Sequence, residues 1–247
     1  MPREAPHAPP CPPPSLLRRA MTAIGRGLGP NGRDLLRARA HFHAPLPPGP
    51  LASQRYVVFD LEATGLQVSR DDRLVAIGAV LLRDMEPVAV FETLVHPGRP
   101  IPPAATAVHG ITDAMVQSAP PAPEAIAAFL DFAGDAVLVA HNAGFDRSLL
   151  FMEEYRGAPA VAQPILCSLA LSRWLDPQEE DHSLDALCGR AGLVIPRRHA
   201  ALGDAEATAA LWVRMLARAA ARGVEDLTEL CRRSRMQQAI AAAAEHF

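Results

Sequence analysis

The sequence contains no lysine: all 24 of its basic residues are arginine. Ala and Pro are abundant as well, so the absence reads as coding bias rather than chemistry. Cysteine is scarce and scattered, at Cys11, Cys167, Cys188 and Cys231, with no C-x-x-C pair. That spacing argues against a zinc site or a disulfide framework. Free thiols in a reducing compartment, the cytoplasm, are the expectation. No uninterrupted apolar run approaches the length that spans a bilayer, so no transmembrane segment is expected. Net positive charge is also missing. The formal charge is −3, which argues against a broadly basic nucleic-acid binder but leaves room for a local contact surface. No internal repeat is visible.

What is present suffices for one sizeable domain with extensions: 247 residues, 49% of them hydrophobic. Charge is unevenly placed. Residues 1–55 carry eight Arg against Glu4 and Asp34, a balance of +6; with −3 overall, the remainder carries −9. Residues 1–14 contain seven prolines and should be extended. Residues 15–43 place leucines at helical spacing among arginines, which suits one or two short basic helices. Such an arm is compatible with an organelle presequence or with docking to a partner, a polymerase, a membrane surface or nucleic acid. It is equally compatible with a poorly ordered extension. Its apolar front is too broken by Arg for a secretory signal. Residues 44–50, APLPPGP, read as a linker. Three segments are expected: an extension with its linker over 1–52, a folded domain over 53–220, and a helical extension over 221–247.

Within the domain, strands are expected at Arg55–Asp60, Arg73–Leu82 and Val88–Val95, the last two joined by the turn-like Arg83–Pro87. Short connections make these an antiparallel meander. The pattern then changes to helices at Thr112–Gln117 and Glu124–Phe132, a strand at Ala136–Ala140, a helix at Phe145–Tyr155 and a strand at Pro164–Cys167. Helices follow at Ser168–Trp174, Leu184–Ala191, Ala205–Ala221 and Val224–Ala244. A meander followed by β-α alternation gives an α/β fold, a mixed sheet with helices packed on it.

Chemistry concentrates first at Arg55 to Leu66, RYVVFDLEATGL. An apolar strand ends in Asp60 and Glu62, two apart and so on one face. Carboxylates that close repel unless a proton or cation lies between them, and oxygen ligands favour Mg²⁺ or Mn²⁺. A solvated acidic turn is the plain alternative. Four other patterns accompany the pair. His141-Asn142-Ala143-Gly144-Phe145-Asp146 follows a buried strand, where open α/β sheets place sites; taken alone, Asp146 is better explained as a first-turn helix acid. Arg198-His199 precedes Asp204 near a helix start, with His199 on a loop, where a lone histidine is ordinarily a surface residue. His109-Gly110-Ile111-Thr112 leads into a helix whose N–H groups could face an anion, or which is simply capped by Thr112. Cys167 to Arg173 reads as packing.

Taken together and in order, D-x-E-x-T-G, H-G-I-T, H-N-x-x-F-D and H-x-x-x-x-D resemble the DEDDh group of 3′–5′ exonucleases. That group includes the proofreading subunit of bacterial DNA polymerase III, ribonuclease T and oligoribonuclease. The resemblance runs from about Arg55 to Leu216. It implies a ribonuclease H-like fold, with Asp60, Glu62, Asp146 and Asp204 holding two Mg²⁺ or Mn²⁺ ions and His199 as general base. It implies that the main chain at Ala63 and Thr64 holds the terminal 3′-hydroxyl, with Gly65, Leu66, His109, Asn142 and Phe145 around the last nucleotides. The substrate would be a single-stranded DNA or RNA 3′ end, and the product a nucleoside 5′-monophosphate. Ala63 and Cys167 depart from the commoner Thr and Asp at their positions, neither within the four-acid set. Some family members are homodimers, but no interface is evident from this sequence. A proofreading subunit is expected to carry a C-terminal tail that binds its polymerase. Residues 218–247 read instead as an Ala-rich helix, so a stand-alone or differently tethered enzyme is the expectation.

Overall fold

The computed structural model describes residues 44–67, 71–195 and 197–244. They belong to a compact unit running from His41 to Phe247. The helices expected within 15–43 lie outside the described residues.

Three strands open the fold: β1 (Tyr56–Ala63), β2 (Leu74–Arg83) and β3 (Glu86–Leu94). β1 pairs antiparallel with β2, and β2 with β3, as the short connections dictate. β4 (Val137–Ala140) lies parallel to β1, and β5 (Ile165–Cys167) parallel to β4, giving the order β3-β2-β1-β4-β5. This is the expected mixed sheet. Between β3 and β4 come the helices α1 (Pro103–His109), α2 (Asp113–Val116) and α3 (Ala122–Ala133). α4 (Gly144–Tyr155) joins β4 to β5. After β5 follow α5 (Ser168–Leu175), α6 (Leu184–Ala191), α7 (Ala201–Ala220), α8 (Leu227–Ser234) and α9 (Met236–Ala244). No helix among the described residues is long and apolar enough to cross a membrane.

β1 is buried on both faces, and its alternation sorts the helices. Tyr56 meets Trp212 of α7 edge-on, with ring centroids 5.8 Å apart. Phe59 points the other way, onto Phe129 of α3 at 5.4 Å. The even-numbered face of β1 is therefore the α7 face, and Asp60 and Glu62 continue it. Leu61, between them, is buried in the core.

Several elements differ from the sequence reading. β1 does not stop at Asp60 but runs to Ala63, so both acids sit within the strand. α1 is an additional helix over a stretch read as loop. Pro103 presets its first turn, and Gly110, at φ 74°, ends it in the left-handed region. His109 is thus a helix C-terminal residue. Thr112 occupies the N-cap position of α2, but its side chain makes no capping bond. α7 begins four residues earlier than expected, at Ala201, placing Asp204 inside its first turn. The helix expected over Val224–Ala244 is two, because Arg235 adopts a left-handed φ of 48° between α8 and α9. Leu227, Leu230, Met236 and Ile240 of these helices are buried in the main core. At the other end Leu51 is buried as well, and its N–H donates to the Glu225 carbonyl at 3.0 Å.

Candidate active site

Asp60 lies opposite Gly78 in the β1–β2 register, and Glu62 opposite Ala76, just before a bulge that shifts the pairing at Ala63. The bulge ends regular pairing where the chain must leave the sheet. Gly78 is essential to what comes next. A Cβ there would lie 2.1 Å from the Leu202 nitrogen, so only glycine lets the start of α7 settle onto β2. That approach delivers Asp204 to the two strand acids. Gly203 allows a second close approach: a Cβ on it would meet the Arg197 carbonyl oxygen at 2.3 Å. The loop that carries Arg198 and His199 is thereby folded back over α7.

One carboxylate oxygen from each of Asp60, Glu62 and Asp204 lies within 4.8 Å of the others. Asp146, in the first turn of α4 and 3% exposed, stands outside this tight group but close enough to raise the pKa of both strand acids. Burial is the main reason that all four carboxyls hold protons more firmly than usual. Asp60 is pushed well above the ordinary range by burial and then by Asp146, Glu62 and Asp204. Glu62 is pushed up to about 8 by burial, then by Asp204 and Asp146. Burial raises Asp204, against the opposition of Arg198, and raises Asp146, against backbone N–H groups at Asp146 and Leu61. Such a cluster is short of positive charge. Asp204 Oδ1 is also buried with no hydrogen-bond partner. An orphaned carboxylate oxygen beside two others is the donor set that a hard divalent cation requires.

The histidines around the cluster separate by environment. Burial pushes His141 down to about 4, and its Nδ1 lies 2.9 Å from Ser168 Oγ. Both nitrogens of His182 are engaged, with Ser172 Oγ at 3.0 Å and the Glu179 carbonyl at 3.1 Å. His109 is lowered by burial; its Nδ1 accepts the Ile111 N–H at 3.0 Å, and the Ala63 backbone lies beside its ring. His199 alone of the four is exposed. It sits at φ 60° on the loop before α7, and its N–H donates to Asp204 Oδ2 at 3.2 Å.

The segment after Glu62 is clasped by Asp72, which sequence reasoning missed. Thr64 Oγ1 donates to Asp72 Oδ1 at 2.9 Å, and the Gln67 N–H donates to Oδ2 at 2.7 Å. The Thr64 N–H is itself engaged with the Arg73 carbonyl at 2.9 Å. The Thr64 N–H is therefore not available to a ligand. Gly65 follows, and Leu66 stands 72% exposed beside it. Asn142, at φ 60°, turns the chain from β4 into α4, and its carbonyl accepts the Phe145 N–H at 3.1 Å. Phe145 packs part-buried against the core. A cavity of about 460 Å³ opens from Asp60 and Asp204 past Asn142, Arg173 and Arg198 to His182. Arg173, His182 and Arg198 line it; His182 has no local pattern to announce it, Arg173 lies in a stretch read as packing, and Arg198 adjoins His199 with no role expected of it.

A DNA polymerase III subunit epsilon-like protein of Rhodobacter capsulatus is 46% identical over 197 residues, which are 76% of this chain and 28% of that protein. The chain spans less than a third of the length of the curated relatives it matches. The solved structure of exonuclease X in complex with 5′-overhanging duplex DNA matches with a TM-score of 0.59 at 30% identity, covering 73% of this chain and 99% of that one. The nuclease domain of 3′hExo, a DEDDh family member bound to rAMP, matches with a TM-score of 0.61 over 68% of this chain and 94% of that one; at 18% identity this shows the fold alone. A family model described as Exonuclease matches residues 57–212, well over half of the sequence, and the chain belongs to that exonuclease family.

Proposed function

We propose that this chain hydrolyses the last phosphodiester bond at the 3′ end of single-stranded nucleic acid, DNA in preference to RNA, and releases nucleoside 5′-monophosphates. The observation that carries the proposal is the convergence of Asp60, Glu62 and Asp204 within 4.8 Å, with the Asp204 Oδ1 orphan beside them. Two divalent ions, Mg²⁺ or Mn²⁺, would supply charge to bind the scissile phosphate, activate water and stabilise the leaving 3′-oxygen. Asp60, Glu62, Asp146 and Asp204 would hold them. Carboxylates that resist ionisation alone can all ionise once that charge is present. His199, the exposed histidine on the loop beside Asp204, would take the proton from the attacking water, while His141 and His182 are buried or held by other partners.

The 3′ end rests on Ala63 to Leu66. Leu66 is exposed there and can pack on the terminal base. His109, whose ring lies beside the Ala63 backbone, would contact the last nucleotides, as would Asn142, on the wall of the cavity at Asp60, and Phe145 in the first turn of α4. A single strand is favoured because the terminal nucleotide has to enter this pocket. DNA is favoured because exonuclease X, the 30% identical relative, is bound to DNA. The rAMP held by the similarly folded 3′hExo domain supports exoribonuclease activity as the second reading. A non-catalytic binding or scaffold role is disfavoured, because a retired site need not keep four acids and a histidine together.

The test is degradation of 5′-labelled single-stranded DNA and RNA with Mg²⁺, Mn²⁺ or EDTA. A ladder shortening from the 3′ end should appear only with metal, and faster on DNA. Asp60→Ala should abolish it, and His199→Ala should slow it by about two to four orders of magnitude. Cleavage that persists in EDTA would remove the two-metal mechanism. Nucleic-acid binding without cleavage under any condition would favour the scaffold role.

A further inference from the structure

Arg198 has no part in the reaction as described above, yet it is built into the site. Its Nε donates to both oxygens of Asp185, at 2.9 and 3.1 Å, and its Nη1 donates to Asp204 Oδ2. The same Nη1 lies 3.2 Å from His199 Nδ1. A guanidinium has no acceptor, so the imidazole must accept there. That puts the hydrogen of the neutral ring on Nε2. The two carboxylates differ in setting: the Asp185 side chain, on α6, is 63% exposed, whereas that of Asp204 is 4% exposed. Arg198 also opposes proton retention at Asp60, Glu62 and Asp204.

A guanidinium on Asp204 Oδ2 and a metal ion on the orphaned Oδ1 of the same carboxylate share one negative charge at short range and repel each other. We propose that Arg198 is the internal counter-ion of the metal-free site, and that metal loading transfers it from Asp204 to Asp185. No large movement is needed, because Nε already sits on Asp185. The transfer withdraws Nη1 from His199 as well, leaving Nδ1 free to carry the hydrogen and Nε2 free to accept one. One side chain thus links metal loading to the readiness of the base. The inference rests on the reading of the four carboxylates as a metal cradle.

Its test is Mn²⁺ binding to the full chain by titration calorimetry, without substrate. Wild type, Arg198→Met, Asp185→Asn and the double variant are compared. Arg198→Met should bind about tenfold more tightly, because no cation has to be displaced. Asp185→Asn should bind more weakly, because the released guanidinium has no anchor. In the Arg198→Met background, Asp185→Asn should change affinity less than about twofold, since a residue acting through Arg198 is silent without it. Metal-free melting temperature should fall in Arg198→Met, and the gain on adding Mn²⁺ should exceed that of wild type. Unchanged or weaker Mn²⁺ binding by Arg198→Met overturns the counter-ion role. Equal weakening by Asp185→Asn in both backgrounds overturns the transfer. A wild type that binds no Mn²⁺ at all overturns the metal cradle itself, and this inference with it.

Discussion

Glu62 is the carboxyl whose titration reports the site most directly. Its pKa is raised from 4.5 to about 8, by burial first and by Asp204 and Asp146 after that. A carboxyl raised in the folded state keeps a proton that the unfolded chain has already released. The resulting stability is fully present below pH 4.5 and is lost as pH rises through about 8. Glu62→Gln stays neutral throughout and escapes that loss. Thermal melts in EDTA should place the variant level with wild type near pH 4.5 and several degrees above it at about pH 8 and beyond. A constant difference at both ends would mean that Glu62 does not titrate with the cluster. Added Mg²⁺ should raise wild type most at the alkaline end, where the carboxylates are already free of protons. The nearness of Asp60 and Glu62 is legible in the sequence, because two-residue spacing on a strand is a local fact. The bridging by Arg198 and the clasp by Asp72 are not, because each depends on where a loop lands after folding.

At the scale of elements, the position of α7 decides whether a site exists. α7 carries Asp204 and follows closely on His199, and its first turn settles onto β2 over Gly78. Gly78→Ala would force a Cβ into the Leu202 nitrogen, which is backbone and cannot swing aside. The expected cost is about 1–3 kcal/mol or more by urea unfolding, together with loss of the melting-temperature gain on adding Mn²⁺. Gly189→Ala is the matched control. A Cβ at this α6 position meets nothing within 4 Å, so the change should stabilise the protein by about 0.5–1 kcal/mol and leave the metal response intact. A Gly78→Ala protein as stable and as metal-responsive as wild type would show that α7 has slack at its N-terminus. The meander and the alternation of strand and helix after it are legible because hydrophobic period and turn residues are local signals. α1 is not: four prolines between Pro97 and Pro103 read as loop, although proline in a first turn suits a helix. The break at Arg235 is hidden too, because nothing in a run of helix formers marks a left-handed residue.

Across the whole unit, the two ends of the described chain close on each other. Pro50 pairs with Asp226 in an isolated bridge, the Leu51 N–H donates to Glu225, and Tyr56 Oη donates to the Leu51 carbonyl at 2.8 Å. Tyr56 in turn stacks edge-on against Trp212 on the face that leads to Asp60. Residues 50–53 therefore belong to the packed unit, although a Pro-rich composition reads as linker; the partner of Pro50 lies 176 positions away and leaves no local trace. This decides where the arginine-rich arm can be removed. Deleting residues 1–43 should leave melting temperature and metal-dependent cleavage of a free oligonucleotide unchanged. Deleting 1–52 removes the buried Leu51 side chain and the hydrogen bonds of its main chain with Glu225, Tyr56 and Gln54. It should lower stability by about 2–4 kcal/mol, with weaker cleavage at raised temperature. If the shorter deletion alone abolishes cleavage while folding is retained, the arm is part of the catalytic unit. If both truncated forms match the full chain in stability, the closure through Leu51 contributes nothing to the fold.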